Sequence, residues 1–553
     1  MAPDTPPADG GNGSTLRRDA TALVVIWWAA LLIAVLAWRP LTPVDETRYA
    51  SVAWEMWLSG DPISLRLNGA LYGDKPPLLF WLINLGWLLF GPVAWWPRVL
   101  TALFALGTLA MARRLARQLA PGHPDVVAMT VMVMGSSLFW IAFTGAVMFD
   151  TVLSFFVVLG ISAVFRAADD GRWRHWLAVG AAIGLGILTK GPVALLHILP
   201  LALLAPWWRQ RAAAQVRSHR GWAHWYGGVG LALLVASAIA LAWAVPAAQA
   251  GGDAFGRDIF WSQTFDRVAT TSHHLRPAWF YGPAVLLLML PWPLCAAVWR
   301  GVVTVARRPG AAPSLRPVLA WLLPVVVAFS LFRGKQVQYL LPEAVGLGFV
   351  VACALSASSA VRRWESWLVA AALAAGAAAV VAVAVEVAGS AAIGVGVALA
   401  VGIALAAGWH GSGKPVRAVA VTGSATVAIV VALLGGPLRA ASAGYDMRPV
   451  GRHLAALQTA GHPVAHFGKY HGQYQFVGRL RDSLVVIRDA ARLREWAAAH
   501  PQGRVVVYSR EPPPTGAGAE FVHRFRRQYV SVWRGADLVR ADDRGFRHAG
   551  TEP

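Results

Sequence analysis

Residues 20–38 read ATALVVIWWAALLIAVLAW, an unbroken apolar stretch that follows Arg17 and Arg18. A helix needs roughly 20 such residues to cross the hydrocarbon of a bilayer, and basic residues beside a span tend to stay on its cytoplasmic side. No small-residue cleavage site precedes Arg39, so the stretch is not typical of a removed signal peptide. We therefore predict an uncleaved first span that is preceded by a disordered cytoplasmic tail, residues 1–16.

The composition of the chain also indicates a membrane protein. Hydrophobic residues make up 57% of the 553 residues and charged residues only 14%, whereas a soluble domain has about 25% charged residues. With a mean hydropathy of +0.51, these values exclude a string of soluble domains, a disordered chain, collagen and a coiled coil. We attribute the net charge of +21 to loop topology and anionic lipid rather than to nucleic acid. Cys295 and Cys353 lie in apolar runs and offer no disulfide framework.

Further apolar stretches bring the number of predicted spans to about 13. They lie near residues 96–113, 125–143, 150–166, 176–189, 192–208, 225–249, 280–299, 317–332, 339–358, 366–387, 390–408 and 417–436. We predict that the run Pro76–Phe90 is an interfacial or re-entrant helix, because counting it as a span would place Arg113, Arg114 and Arg117 outside. With 13 spans, Lys and Arg concentrate in the inner loops, as the positive-inside rule requires.

After about Leu438 the composition becomes that of a soluble domain. We predict short strands at 463–467, 483–487 and 504–508, helices at 447–460 and 490–500, and a hairpin over 521–533. The chain thus divides into a transmembrane domain, 17–437, and a small α/β domain, 438–553, which an odd number of spans places on the outer face. The predicted fold class is an all-α polytopic membrane protein with a small C-terminal α/β domain.

Ionisable residues gather beside apolar segments on the predicted outer face. The first outer loop contains an amphipathic stretch, Ala50–Gly60, which we expect to lie flat on the membrane. The residues predicted to share one membrane level are Asp45, Lys75, Asp150, Lys190, Arg267, Lys335 and Tyr339. Ions cost roughly 2.5–3.5 kcal/mol each at the centre of a membrane helix, and less at its edge. Such a mixed cluster is typical of a site where cations hold a lipid phosphate and a carboxylate orients or deprotonates an acceptor hydroxyl.

Most of these residues also have a structural explanation. Thr42-x-x-Asp45 fits a capping box with Pro43 at the first helical position. Lys75 could be an interfacial lysine, Asp150 an acid favoured at a helix N-terminus, and Lys190 part of a solvated turn. Tyr339 could belong to the aromatic belt, and the His273-His274 pair is a weak indication of a metal. The functional interpretation therefore depends on the combination of residues.

That combination resembles a known family. The motifs are Asp45-Glu46-x-Arg48-Tyr49, Glu55-Met56-x-x-Ser59-Gly60-Asp61, Lys75-Pro76, Phe149-Asp150, Thr189-Lys190-Gly191, Arg267 before Arg276-Pro277-x-Trp279-Phe280-Tyr281, and Gly334-Lys335 with Tyr339. In order and spacing they are similar to membrane glycosyltransferases that use polyprenyl-phosphate sugars, the protein mannosyltransferase-like superfamily. The nearest branch transfers 4-amino-4-deoxy-L-arabinose to lipid A. The resemblance runs from about residue 20 to residue 360.

The resemblance implies a fold and an activity. The fold would be of the GT-C type, with interfacial helices in the first periplasmic loop and a periplasmic C-terminal domain. The enzyme would lie in the bacterial inner membrane and move a sugar from an undecaprenyl-phosphate-type donor to an acceptor on the periplasmic face. The best match is transfer of 4-amino-4-deoxy-L-arabinose to a lipid A phosphate, a lipopolysaccharide modification linked to polymyxin resistance.

The same resemblance implies roles for individual residues. Asp45, which would face the acceptor, and Asp150 are the catalytic candidates. The residues expected to bind the donor or its phosphate are Lys75, Arg267, Lys335, Tyr339, Lys190 and Arg48. Further site candidates are Glu46, Asp74, His273 and His274. We predict no metal ligands and no essential cofactor, and a divalent cation near Asp74, His273 and His274 stays open. The expected partners are the lipid-linked donor, lipid A or another envelope acceptor, and membrane lipids, with no nucleic acid, and the chain is expected to be a monomer.

Departures from the family pattern leave the substrate open. Relatives carry Phe-Glu-Lys-Pro where this chain has Gly73-Asp74-Lys75-Pro76, and Glu-His where it has Gln263 and Thr264. A related transferase that modifies a protein or another envelope glycan is therefore an alternative. A secondary transporter or flippase is a third hypothesis. It is disfavoured because the chain shows no internal repeat and its charges gather at one membrane edge.

Overall fold

The computed structural model describes residues 11–209, 221–259, 275–388, 393–513 and 518–540. The first helices are α1 Gly11–Trp38, α2 Asp45–Ser59, α3 Leu78–Phe90, α4 Trp96–Leu119, α5 Pro124–Ser136, α6 Leu138–Thr144, α7 Phe149–Asp170, α8 Trp173–Lys190, α9 Val193–Leu203, α10 Ala205–Arg209 and α11 Trp222–Arg257. The next are α12 Tyr281–Leu288, α13 Ala296–Arg307, α14 Arg316–Leu331, α15 Ala344–Ala357, α16 Arg363–Ala388, α17 Ile393–His410, α18 Pro415–Gly435 and α19 Pro437–Ser442. A short hairpin, β1 Arg66–Leu67 and β2 Ala70–Leu71, lies between α2 and α3.

The C-terminal part contains a small sheet. Its elements are α20 Arg448–Thr459, β3 Val464–Phe467, α21 Gln475–Gly478, β4 Val485–Ile487, α22 Ala490–Ala499, β5 Arg504–Ser509, β6 Ala519–Phe525, β7 Gln528–Arg534 and α23 Gly535–Arg540. The strand order is β4-β3-β5-β7-β6, and β3 is parallel to both of its neighbours. Val464 and Val506 pack on one face of the sheet, whereas Ala465 and Val505 pack on the other. The three predicted strands, the two predicted helices and the hairpin are present at about the predicted positions, whereas α21 and α23 were not predicted.

Several helices are apolar enough to lie in a membrane. Among the described residues, six helices are long and apolar enough to cross one, and α5 with α6, bent by 61°, would make a seventh. Six shorter apolar helices accompany them, including α3, α9, α14 and α15. The predicted spans at 192–208 and 280–299 are each divided between shorter helices, so the count of 13 stays a prediction. Helix α1 begins at Gly11, inside the predicted tail, and residues 1–10 lie outside the described residues.

Close packing of small residues holds the membrane helices together. Helix α7 packs against α4, α8 and α9, and 83% of its most apolar window is buried. On α8, Gly180 and Gly184 face α11 with a spacing that lets two helix backbones approach closely. A Cβ atom at Gly180 would lie 2.6 Å from the carbonyl oxygen of Ala232, and one at Gly184 would lie 2.8 Å from Cβ of Ile239. The sequence therefore brings α8, which ends at Lys190, tightly against its neighbour.

Helix α2 joins the membrane helices to the C-terminal sheet. Its apolar face packs on α3, and the opposite face is covered by protein as well. Ser51 donates to the carbonyl of Gly472 at 2.6 Å, and the indole of Trp54 donates to the carbonyl of Leu480 at 2.8 Å. The prediction that this amphipathic helix lies flat on the membrane therefore missed the C-terminal residues that bury its second face.

A buried carboxylate fixes the start of α2. Glu46, which is 3% exposed, pairs with Arg39 at 2.7 Å and with Arg98 at 2.9 Å. It also accepts hydrogen bonds from the backbone amides of Thr42, at 2.8 Å, and Val147, at 3.0 Å. Burial by itself raises the pKa of Glu46, but the two guanidinium groups outweigh this effect and lower the pKa to about 2. Glu46 therefore joins the end of α1, the start of α2, α4 and the segment before α7.

The same contacts change the interpretation of the first outer loop. The proposed capping box at Asp45 does not form, because α2 begins at Asp45 after Val44, which makes no side-chain cap bond. Glu46 satisfies the amide of Thr42 instead. The carboxylate of Glu46 is engaged by four donors away from the cavity described below, so the structure gives this site candidate a structural role.

We expect Glu46→Gln to lower the free energy of unfolding by about 3 kcal/mol, because Arg39 and Arg98 lose the charge that both share. The measurement is thermal unfolding of the purified full-length protein in detergent. The matched control is Glu495→Gln on the exposed side of α22, which should stay within about 0.5 kcal/mol of the wild type. Equal unfolding temperatures for Glu46→Gln and the wild type would contradict the role assigned to Glu46.

Candidate functional site

A cavity of about 620 Å³ lies where the membrane helices meet the C-terminal sheet. Seven of its lining residues were site candidates from the sequence: Asp45, Arg48, Asp74, Lys75, Asp150, Lys190 and Tyr339. They come from the ends of α2, α7 and α8, from the loop before α3 and from the segment after α14. The structure thus brings together residues that are far apart in the sequence.

Asp150 and Lys190 form a buried ion pair in this cavity. Asp150 lies in the first turn of α7, and Lys190 is the last residue of α8. Each charge is favoured by the dipole of its own helix, and the carboxylate contacts the ammonium directly. The ammonium lies 4.4 Å from the ring centroid of Tyr339, within the range of a cation–π contact. The alternative of a solvated turn at Lys190 is wrong, because its side chain is largely buried.

Asp45, Arg48 and Tyr49 form a second charged group in the first turns of α2. Arg48 pairs with the carboxylate of Asp45, and the hydroxyl of Tyr49 donates to the same carboxylate oxygen at 3.3 Å. The side chain of Asp45 is nevertheless 46% exposed, and it lines the cavity. A carboxylate that is held on one side and open on the other can contact a ligand.

Asp74 and Lys75 line the cavity from the loop between β2 and α3. The Lys75 ammonium donates to the carbonyl of Asp74 at 3.2 Å. Pro76 and Pro77 follow directly, and α3 begins at Leu78, so the loop ends in a conformationally restricted segment. This segment holds the ammonium of Lys75 at the cavity.

Lys335 does not line the cavity in this structure. Its ammonium is buried and donates to the carbonyl of Arg276 at 3.0 Å and to that of Phe332. Phe332 directly follows α14, so Lys335 joins this helix end to the segment before α12. The expected donor-binding residue Arg267 and the candidates His273 and His274 lie outside the described residues.

The C-terminal sheet supplies a wall of the cavity that the sequence analysis missed. The wall comes from β3 and the segment after it, from β5, and from the turn between β6 and β7 with the start of β7. Its polar residues are His466, Lys469, His471, Gln473, Tyr508, Arg526 and Gln528. One signal was present in the sequence, since β3 reads Val-Ala-His-Phe and places a histidine in a fully buried strand. Binding residues often occupy loops that a rigid strand positions, and this wall follows that rule.

His466 is a buried, neutral histidine in this wall. It is 1% exposed, and its Nε2 atom lies 3.1 Å from the carbonyl oxygen of Lys469, which can only accept a hydrogen bond. Nε2 therefore carries the proton and Nδ1 is an acceptor. Nδ1 is buried and has no hydrogen-bond partner among the residues that the structure describes. Burial lowers the pKa of His466 to about 4, so the ring is uncharged near neutral pH.

An apolar groove of about 420 Å³ adjoins the cavity. Its lining comes mainly from α9 and from the end of α14, and Lys190, Gly334 and Tyr339 line both the groove and the cavity. A buried pair, His197 Nδ1 to Glu343 Oε1 at 2.7 Å, lies beside it. The polar cavity and the apolar groove together match a ligand with a charged head and a hydrocarbon tail.

No group of three metal-binding side chains is present among the described residues. Asp74 lines the cavity, but the two histidines considered with it fall within residues 260–274, which the structure does not describe.

Comparison with known proteins supports the resemblance. A family model described as dolichyl-phosphate-mannose-protein mannosyltransferase matches residues 74–243. The undecaprenyl phosphate-alpha-4-amino-4-deoxy-L-arabinose arabinosyl transferase 2 of Pseudomonas fluorescens is 31% identical over 349 residues, which cover 62% of this chain and 57% of that protein. The corresponding transferase of Pseudomonas paraeruginosa is 30% identical over 61% of this chain and 60% of its own length. The matched region thus spans less than two thirds of these relatives.

The fold is shared with a solved structure. ArnT from Cupriavidus metallidurans bound to undecaprenyl phosphate matches with a TM-score of 0.69 at 20% identity, over 94% of this chain and 98% of that one. Its apo form matches with a TM-score of 0.71 at 19% identity, over 96% and 99%. The predicted family resemblance is confirmed, and the chain has the mostly helical, ArnT-like GT-C fold with a small sheet.

The neutral state of His466 predicts that acid destabilises the C-terminal sheet. The folded pKa of about 4 lies below the usual value of 6.5, so the unfolded chain binds the proton more readily between these values. The contribution of His466 is complete above pH 6.5 and is lost as the pH falls toward 4, by about 3 kcal/mol in all. Hydrogen exchange of residues 464–476 in the full-length protein, corrected for intrinsic rates, should show this loss.

In His466→Gln the pH dependence of that protection should become shallower, whereas His500→Gln, which changes an exposed histidine of the same sheet region, should behave like the wild type. The same slope in all three proteins would show that His466 does not titrate in this way.

Proposed function

We propose that this chain is a glycosyltransferase that moves a sugar from an undecaprenyl-phosphate-type donor to an acceptor at the membrane surface. The observation that carries this proposal is the junction of a polar cavity and an apolar groove at Lys190 and Tyr339. A polyprenyl chain fits the chemistry of the groove, and its phosphate would then lie beside a buried ammonium. The printed names of the curated relatives support 4-amino-4-deoxy-L-arabinose as the sugar.

The charges of the cavity support a phosphate-containing substrate. Five cationic side chains line it, Arg48, Lys75, Lys190, Lys469 and Arg526, against three carboxylates, Asp45, Asp74 and Asp150. The excess of positive charge favours anions, and the low-dielectric surroundings strengthen each contact. Arg267 lies within residues 260–274, outside the described part of the chain. The segment that follows these residues is joined to the end of α14 by Lys335.

The proposed reaction is displacement at the anomeric carbon of the donor sugar. An acceptor oxygen forms a bond to this carbon while the bond to the phosphate oxygen breaks, and polyprenyl phosphate leaves with the electron pair. Lys75 and Lys190 stabilise the negative charge that develops on the leaving phosphate, and Asp150 holds Lys190 in position. The open carboxylate of Asp45 contacts the acceptor.

The nature of the acceptor decides what Asp45 does. A lipid A phosphate is already ionised, so Asp45 orients it or the amino sugar and no base is required. An acceptor hydroxyl must lose a proton as its oxygen attacks, and Asp45 is then the general base. We propose lipid A phosphate as the acceptor, in line with the arabinose transferases among the relatives.

The cellular setting belongs to the same proposal. We infer a multi-pass protein of about 13 spans in the bacterial inner membrane, with the cavity and the C-terminal domain, residues 438–553, facing the periplasm. The basic inner loops support this orientation. The chain would act as a monomer surrounded by membrane lipids, without an essential cofactor or metal ion.

A second acceptor class is supported by the family model, whose description names a protein mannosyltransferase. In that case a hydroxyl of a protein or of another envelope glycan would receive the sugar. Mass spectrometry of lipid A from cells with and without the gene discriminates between the two, because only the first predicts a loss of modified lipid A.

Lys75→Ala should lower turnover at least about 100-fold, because it removes a cation from the developing phosphate charge. The assay combines the purified protein with undecaprenyl phosphate-linked 4-amino-4-deoxy-L-arabinose and lipid A, and mass spectrometry follows the product. Lys414→Ala, which changes an exposed lysine far from the cavity, is the matched control and should keep full activity. A fully active Lys75→Ala protein would refute the phosphate site.

Asp45→Asn separates the two acceptor chemistries. We expect nearly complete loss of transfer to a hydroxyl acceptor, because the amide cannot take a proton, and substantial transfer to a phosphate acceptor. Both transfers are measured on one preparation, with Asp482→Asn at an exposed position as the control. Equal losses with both acceptors would exclude a role for Asp45 as the general base.

A further inference from the structure

The wall from the C-terminal sheet has no part in the proposed donor site. The residues that line the apolar groove all lie between Lys190 and Tyr339 in the sequence, and none of them comes from the sheet. A lipid-linked donor with its tail in this groove places its phosphate at Lys190. The acceptor substrate must then contact Asp45 and the part of the cavity that the groove does not reach.

That part of the cavity is next to Asp45. Arg526, in the turn between β6 and β7, donates from Nη2 to the carbonyl of Pro43 at 2.9 Å, two residues before Asp45. Ser51 of α2, the helix that begins at Asp45, donates to the carbonyl of Gly472, which lies between the lining residues His471 and Gln473. The wall is therefore attached both to α2, which carries the acceptor-facing carboxylate, and to the segment directly before it.

The charge of this wall selects anions. It contributes Lys469 and Arg526 to the cavity, with His471 beside them, and no acidic side chain among the described lining residues. The carboxylates of the cavity all come from the membrane part of the chain, and Asp150 already pairs with Lys190. A guanidinium and an ammonium on one wall are suited to the oxygens of a phosphate.

The position of Arg526 is built into the fold. Its backbone has a φ of 56°, in the left-handed region that residues other than glycine seldom adopt, and its guanidinium lies over the rings of Tyr445, at 5.2 Å, and Phe525, at 5.0 Å. Its Nε atom is buried and has no hydrogen-bond partner within the described ranges. The side chain is thus oriented by stacking and by the Pro43 carbonyl, and it keeps one donor unused.

The neighbouring groups are neutral and suited to hydroxyls. The buried Nδ1 atom of His466 is an acceptor without a partner among the described residues, so it can receive a hydrogen bond from a hydroxyl and cannot bind a phosphate oxygen. Gln473 donates to the hydroxyl of Tyr508 at 3.2 Å on the same wall. Amide and phenol groups of this kind orient polar ligands by hydrogen bonds.

We propose that this wall is the acceptor subsite and that it binds a phosphorylated saccharide. Lys469 and Arg526 hold the phosphate, and His466 accepts a hydrogen bond from a sugar hydroxyl. The inference rests on the proposed function. It assigns binding of the acceptor phosphate to a surface of the C-terminal sheet rather than to the membrane helices.

The test compares Lys469→Ala with the wild type in the full-length protein. We expect the KM for phosphorylated lipid A to rise about tenfold, with the KM for the lipid-linked donor unchanged. Lys469→Arg, which keeps the charge, should restore most of the affinity, and Arg481→Ala, at an exposed position of the same sheet region, should have no effect. Dephosphorylated lipid A lacks the acceptor phosphate, so neither protein should transfer sugar to it, and it should bind equally weakly to the wild type and to Lys469→Ala.

A rise in the donor KM alone, or no change in either KM, would overturn the assignment of this wall. The unfolding temperature of each variant separates lost binding from lost folding. A binding arm distinguishes the inference from the proposed function, with phosphorylated and dephosphorylated lipid A presented to the protein in nanodiscs. If the wild type transfers no sugar but binds the phosphorylated form through Lys469, the proposed function fails and the subsite stands. If sugar is transferred but the affinity for lipid A depends neither on its phosphates nor on Lys469, the subsite fails and the function stands.

Discussion

The buried Glu46 carboxylate determines the geometry of the whole cavity. It lies between Arg39 and Arg98 and also accepts the amides of Thr42 and Val147. A buried ion pair is costly unless further hydrogen bonds satisfy the remaining lone pairs, and here both carboxylate oxygens are satisfied. Asp45 is the preceding residue, and Asp150 follows Val147 by three positions. One interaction therefore sets the distance between the two aspartates that face the cavity.

The second constraint is that α2 belongs to both parts of the molecule. Its one face packs on α3, and its other face binds the C-terminal sheet through Ser51 and Trp54. Asn68 of the first hairpin adds two hydrogen bonds to Leu484, both of 2.8 Å. The cavity is lined by both of these surfaces, so the membrane helices alone would leave one of its walls missing. This arrangement explains why a small sheet follows a long series of apolar helices.

Much of this arrangement could be predicted from local patterns. Apolar length indicated the helices, alternation indicated the strands, and the shared membrane level of Asp45, Lys75, Asp150, Lys190 and Tyr339 anticipated residues that line one cavity. Long-range docking could not be predicted, because no local pattern shows that Arg526 reaches the carbonyl of Pro43. For the same reason the sequence could not show that Glu46 has a structural role, with its carboxylate engaged by four donors, whereas its neighbour Asp45 is exposed to the cavity. Lys335 shows the limit of a motif, since its ammonium satisfies backbone carbonyls in this structure.

The groove and the cavity favour different parts of a ligand, and this difference separates the positions of the two substrates in the proposed reaction. The groove is mostly apolar, with Lys190 where it adjoins the cavity, so it favours a ligand with a hydrocarbon segment. The cavity has more cationic than acidic side chains, so it favours anions whatever their tail. The polyprenyl phosphate of the proposed donor meets both requirements at once, with its head at the shared boundary of Lys190 and Tyr339. In the proposed reaction the sugar attached to that head would point into the cavity, where Asp45 and the wall from the sheet are the surfaces left to hold the second substrate.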